Sequence, residues 1–183
     1  MKYGVVCVTL FLSLSALAQS AELTQKLLDK EALKVAAWGS DPVIVAAVKA
    51  QNAKRVSIEA IKALDAKWIA GQAEDLVRQT TGGPCADKLR ELAGTSGAFG
   101  ETFVMDNRGA IVCATVKTSD YWQGDEAKFE RAYAGGKGAV FIDRPRFDDS
   151  SAARLAQISV PVTDKGTVIG ALTVGIAIEK LAH

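Results

Sequence analysis

The sequence predicts an α+β domain in which helices come first and a mostly antiparallel sheet follows. Apolar residues recur at helical spacing through residues 22–80. From residue 101 the pattern changes to short runs rich in β-branched residues. Two tight polar turns, Asp106-Asn107-Arg108-Gly109 and Thr163-Asp164-Lys165-Gly166, each join two such runs closely enough for an antiparallel hairpin. Helices followed by hairpins give a sheet with helices packed on its face.

Taken in order, Leu23, Leu27, Leu28, Ala32, Val35 and Ala36 form the apolar stripe of a first helix, which Gly39 ends. Asp41-Pro42 starts a second as N-cap and first helical residue, with Ile44, Val45 and Val48 inward. Ser57 caps a third bearing Ile58, Ile61, Leu64, Trp68 and Ile69, closed by Gly71. Glu74–Thr80 is a short helix, Thr81–Pro84 a breaker cluster, and Asp87–Leu92 one or two further turns before Gly94. The predicted strands are Glu101–Met105, Ala110–Val116, Ala139–Asp143, Ala156–Val162 and Thr167–Ile178, with one short helix, Asp125–Tyr133, between the second and third. Trp38, Trp68, Phe141 and Phe147 read as packing residues, and Arg144–Ser151 as a polar loop.

The N-terminus reads as a secretory signal over residues 1–18. Lys2 is its positive end, Val5–Leu17 its apolar run, and Ala16-Leu17-Ala18 its small-residue cleavage site. The apolar run falls short of the roughly 20 residues of a membrane span. Either the segment is cleaved, or it stays as an anchor. Residues 19–183 then form one domain of ordinary size, exported and periplasmic in a Gram-negative source. The full chain carries 22 Lys+Arg and 21 Asp+Glu; losing residues 1–18 removes Lys2 alone and leaves 21 of each sign. No basic stripe marks a nucleic-acid partner and no polybasic segment marks anionic lipid.

Cys85 and Cys113 remain in the exported part, as a disulfide in an oxidising compartment or as two separate buried thiols. The single histidine is the last residue, His183, so no Cys-His pair and no Ser-His-Asp triad is available inside the fold. No cofactor is indicated: there is no GxGxxG after a strand and no Walker loop. The glycines of Gly135-Gly136-Lys137-Gly138 follow a helix rather than precede one.

The most site-like segment is Thr118-Ser119-Asp120-Tyr121-Trp122-Gln123-Gly124-Asp125, which crowds two large aromatics and two carboxylates into a loop between strands. This segment, with Phe103–Gly109 before it and the hairpin Gln157–Ile176 after it, resembles the Cache (PDC) superfamily of extracellular PAS-like sensor domains. The resemblance covers essentially the whole exported chain and is carried by the order and spacing of the motifs. It implies a five-stranded antiparallel sheet with a long N-terminal helix and covering helices and loops. It also implies a non-catalytic pocket for an amino acid, carboxylate or amine. Family members are usually receptor ectodomains; this chain carries one such domain and no signalling module, so a separate membrane protein would receive the signal.

On these residues, Tyr121 and Trp122 are the candidate aromatic wall, or one of the pair faces the core. Asp120 and Asp125 contact ligand or cap a turn and the following helix. Arg144, Arg146 and Asp148, in a loop that lies across the pocket mouth in the family, bind a ligand carboxylate or amine, or form a solvated charge run with Asp149. A paired-carboxylate enzyme would need these aspartates to converge, which nothing in their spacing requires. The competing reading is a degenerate Cache scaffold that binds a protein partner and no small ligand. The amphipathic N-terminal helix is the expected surface of a homodimer.

Overall fold

The computed structural model of the chain describes residues 5–148 and 153–181, with side chains described from residue 19 onward except at 148 and 153. Lys2, Asp149 and His183 lie outside the described residues, as does the side chain of Asp148.

Five helices precede the sheet: α1 (Val5–Trp38), α2 (Pro42–Ala53), α3 (Ile58–Ile69), α4 (Glu74–Thr81) and α5 (Gly83–Ala93). Two of the expected caps form. Asp41 Oδ1 accepts from the backbone N–H groups of Val43 (2.8 Å) and Ile44 (3.4 Å), and Ser57 Oγ from that of Ala60 (3.3 Å). The N-terminal helix is longer than its stripe predicts, because the apolar residues expected as a leader continue the same helix from Val5. Leu23, expected on its inward stripe, is exposed. The breaker cluster Thr81–Pro84 separates two helices with one residue between them, Gly82, and Pro84 sits in the first turn of α5.

The remaining elements are β1 (Phe99–Met105), β2 (Ile111–Ala114), α6 (Ala127–Tyr133), β3 (Phe141–Ile142), β4 (Arg146–Asp148), β5 (Ala153–Asp164) and β6 (Thr167–Ala177). The antiparallel sheet runs in the order β2-β1-β6-β5-β3, with β4 pairing β5 alongside β3. The architecture is therefore the α+β sheet expected, with one short strand more. Arg146, Phe147 and Asp148, expected within a polar loop, pair with Leu155, Arg154 and Ala153, because β5 extends past β3 and offers its free edge. Phe147 stands there 63% exposed, not in the core.

Alternation of side chains along the strands gives the sheet two covered faces. On one, Val104, Ile158, Val160, Leu172 and Val174 meet Leu28 and Val35 of α1, Ile44 and Val48 of α2 and Leu89 of α5. On the other, Phe103, Met105, Ile111 and Ala171 meet Ile61 and Trp68 of α3, Tyr121, and Phe129 and Ala132 of α6. Cys85 of α5 is disulfide-bonded to Cys113 of β2, with Cα atoms 5.9 Å apart. Asn52, at the end of α2, ties the first hairpin turn to β6: its Nδ2 donates to the Ile169 carbonyl (2.8 Å) and its Oδ1 accepts from the Asn107 N–H (3.0 Å).

Candidate functional site

The polar-aromatic loop does not hang free. It returns along the outer edge of β2, where the Ile111 N–H donates to the Tyr121 carbonyl (3.0 Å), the Gln123 N–H donates to the Gly109 carbonyl (2.8 Å), and Ala110 and Trp122 form a single antiparallel bridge. Inside the loop, Thr118 Oγ1 (2.7 Å) and Gln123 Nε2 (2.8 Å) both donate to the Asp120 carbonyl. Gly124 makes the close approach workable: a Cβ there would run into the Trp122 indole and the Arg108 carbonyl. Its neighbour across the turn, Gly109 (φ +82°), would meet Gly124 in the same way.

A stripe of α3 holds the loop from outside, at residues spaced one turn apart. Asp65 Oδ1 accepts from the N–H groups of both Tyr121 (2.8 Å) and Trp122 (3.0 Å). Trp68 Nε1 donates to the Thr118 carbonyl (2.8 Å), and its ring packs on that of Tyr121 with centroids 5.6 Å apart. Lys62 places its ammonium 4.3 Å from the centroid of the Trp122 ring. The indole is itself oriented by a 2.8 Å hydrogen bond from Nε1 to the Arg108 carbonyl.

Between α3 and the loop lies a groove of about 530 Å³ lined by Lys62, Asp65, Asp120, Trp122, Asp125 and Glu126. Three candidate residues, Asp120, Trp122 and Asp125, are thus brought together. Lys62, Asp65 and Glu126 were not foreseen. The polar positions of α3 between its apolar ones carried the only signal for the first two, and nothing local says that such residues face a loop more than fifty positions away.

The other candidates fall elsewhere. Tyr121 is buried in the core beneath the loop and does not line the groove. Burial, with the charge of Asp106 nearby, pushes its phenol up to about 12, so it stays protonated. Asp125 is exposed and caps nothing; α6 begins after Glu126, which has no side-chain cap bond. Arg144 and Arg146 flank the outer edge of β5, four strand positions from β2, roughly 20 Å at about 4.8 Å per strand. They do not join the groove, and Arg146 pairs with Asp143 at 3.4 Å. The backbone of Asp148 lies on that same far edge, in β4.

Two carboxyl groups near this half of the sheet are displaced upward by burial. Asp106, in the first hairpin turn, accepts the N–H groups of Arg108 (2.8 Å) and Ala110 (3.0 Å), which offset part of the burial. Glu101 of β1 is half-buried, with Lys128 lowering and Glu126 raising it. Among the described residues no group of three or more His, Cys, Asp or Glu is arranged to hold a metal ion.

No protein-family model matches this chain, and no curated protein matches it. Solved structures do. The extracellular domain of a histidine kinase superposes with a TM-score of 0.52 at 13% identity, covering 98% of this chain and 62% of that one. A domain of a sensory box/GGDEF family protein from Vibrio parahaemolyticus gives 0.50 at 11% identity, over 91% and 59%. The chain shares the fold of these two domains. At these identities the likeness is one of fold. The ligand-binding domain of a Pseudomonas aeruginosa amino-acid chemoreceptor in complex with GABA also matches, at TM-score 0.43 and 16% identity, over 66% of this chain and 58% of that one. The chain spans 58% to 62% of the length of the first solved chains it matches. Among its described residues no helix is long and apolar enough to cross a membrane.

Proposed function

We propose that this protein is an exported, non-catalytic binding module of the sensor type. It takes a small polar metabolite into the groove between α3 and the Asp120–Asp125 loop and passes the bound state to a separate membrane protein. The observation that carries the reading is the convergence of Asp120, Trp122 and Asp125 with α3 in one groove of about 530 Å³, a size suited to a small ligand. The Cache-type fold supports it, since its solved neighbours are domains of signalling proteins. Turnover is disfavoured by the absence of an internal histidine. In this reading Arg144, Arg146 and Asp148 do not touch the groove ligand, and α1 is the surface for a second copy.

The test is a thermal-shift panel of amino acids, small carboxylates and amines against the purified protein. A ligand at 100 times its Kd adds about 2.7 kcal/mol of stability. A hit abolished by Trp122→Ala and retained by Arg146→Ala supports the site; a hit indifferent to Trp122→Ala places it elsewhere. The second reading, a degenerate scaffold for a protein partner, is favoured by two observations. Tyr121 and Phe129 fill the space between sheet and loop, and Lys62 already sits on the Trp122 ring. It predicts no hit across the whole panel.

A further inference from the structure

The groove already holds one cation, and that cation belongs to the protein. The Trp122 ring is fixed from two sides, by its Nε1 bond to the Arg108 carbonyl and by the absence of a side chain at Gly124, so its position does not depend on Lys62. Lys62 by contrast is an exposed side chain on a flexible stem, and its Nζ lies over the ring without a carboxylate within ion-pair distance among the described residues. The other charged lining groups are the carboxylates of Asp65, Asp120, Asp125 and Glu126. One oxygen of Asp65 serves two backbone N–H groups, Asp120 accepts from the Ser119 hydroxyl (2.6 Å), and Glu126 pairs with Lys128 (3.1 Å). Asp125 is exposed and has no side-chain partner among the described residues. A ligand carboxylate entering here would meet four carboxylates against one ammonium, that of Lys62, which lies over the Trp122 ring. A ligand ammonium would meet a tryptophan face, the strongest aromatic partner for a cation, with acidic groups beside it.

We propose that Lys62 is a resident cation that occupies the Trp122 ring in the unliganded protein and is displaced by the ammonium of an organic amine, so that the groove selects amines over carboxylates. The inference rests on the groove being the ligand site. A tethered competitor acts at high effective concentration, so it lowers the apparent affinity for any cation that needs the same ring. Lys62 is then a specificity-determining residue: it sets how strongly an amine must bind to gain the site.

The experiment is a titration with 1,4-diaminobutane, with acetate as the anionic control, followed at the indole N–H resonance of Trp122 in the wild-type protein and in Lys62→Met and Lys67→Met. Both variants remove one positive charge from an exposed position of α3, but only Lys62 faces the ring. The expected result is saturable displacement of the Trp122 resonance by the diamine. Lys62→Met should bind about two- to fivefold tighter, as expected for loss of an exposed cation–π competitor. Lys67→Met should bind as wild type, and acetate should give no displacement. Equal tightening in both variants would reduce the effect to net charge and overturn the proposal, as would no tightening in Lys62→Met. If acetate displaces Trp122 and the diamine does not, the amine inference fails while the groove stands. If no probe displaces Trp122 in any form, both fail.

Discussion

Glu101 is the residue whose environment most directly sets a pH dependence. Burial is the first cause of its raised carboxyl pKa, with Lys128 opposing and Glu126 reinforcing. The native state therefore holds this proton more tightly than the unfolded chain does. The stability Glu101 contributes is fully present below its ordinary value of 4.5 and is lost as pH rises through the raised native value. Glu101→Gln should accordingly be more stable than wild type at pH 7 and lose that advantage at pH 4, as read by urea unfolding at each pH. A variant less stable than wild type at pH 7 would show that the attraction to Lys128 outweighs burial. At the same scale, the pairing of Gly109 with Gly124 shows why the loop carries a glycine after Trp122-Gln123. The indole takes the space a side chain would need.

At the scale of elements, α3 acts on the loop through Lys62, Asp65 and Trp68, one residue per turn along a single stripe. Asp65 is the central contact, since one carboxylate oxygen satisfies two successive N–H groups. Asp65→Ala would leave both without a partner, at a cost of about 1–3 kcal/mol, while Asp65→Asn keeps an acceptor oxygen and should lose less. Denaturant midpoints of the two variants check the order. Equal losses would mean that the carboxylate charge, not the acceptor, holds the loop. The caps at Asp41 and Ser57 and the first hairpin turn were readable because each depends on residues within four positions of one another. Strand β4 was not, because Arg146–Asp148 has no strand pattern of its own and pairs only where β5 outruns β3.

For the whole molecule, the disulfide is the longest covalent constraint. Cys85 and Cys113 are 28 positions apart and join α5 to the edge strand β2, the strand along which the loop returns. Closing a loop of that length stabilises the fold by about 3–4 kcal/mol in the chain-entropy model. The double variant Cys85→Ser, Cys113→Ser should lose about that much by urea unfolding, and reductant should have no further effect on it. A loss near zero would place the stability in the two apolar cores alone. Sheet order also explains why the expected site divides. Asp120–Asp125 and Arg144–Arg146 belong to opposite edges, and a strand pattern says which residues pair far less than it says which residues are strands.

The sequence by itself determined the class and the periods: helices through residue 80, two hairpins with their turns, a buried tryptophan pair, and one loop unlike the rest of the chain. These are local properties, written in spacings of two to four residues. Only the tertiary structure decided which half of the Tyr121-Trp122 pair is core and which is groove, that Cys85 meets Cys113, and that Lys62 and Asp65 line the groove with the loop. Those outcomes depend on contacts between elements 28 to 60 positions apart, where packing and sheet order, not periodicity, choose the neighbours.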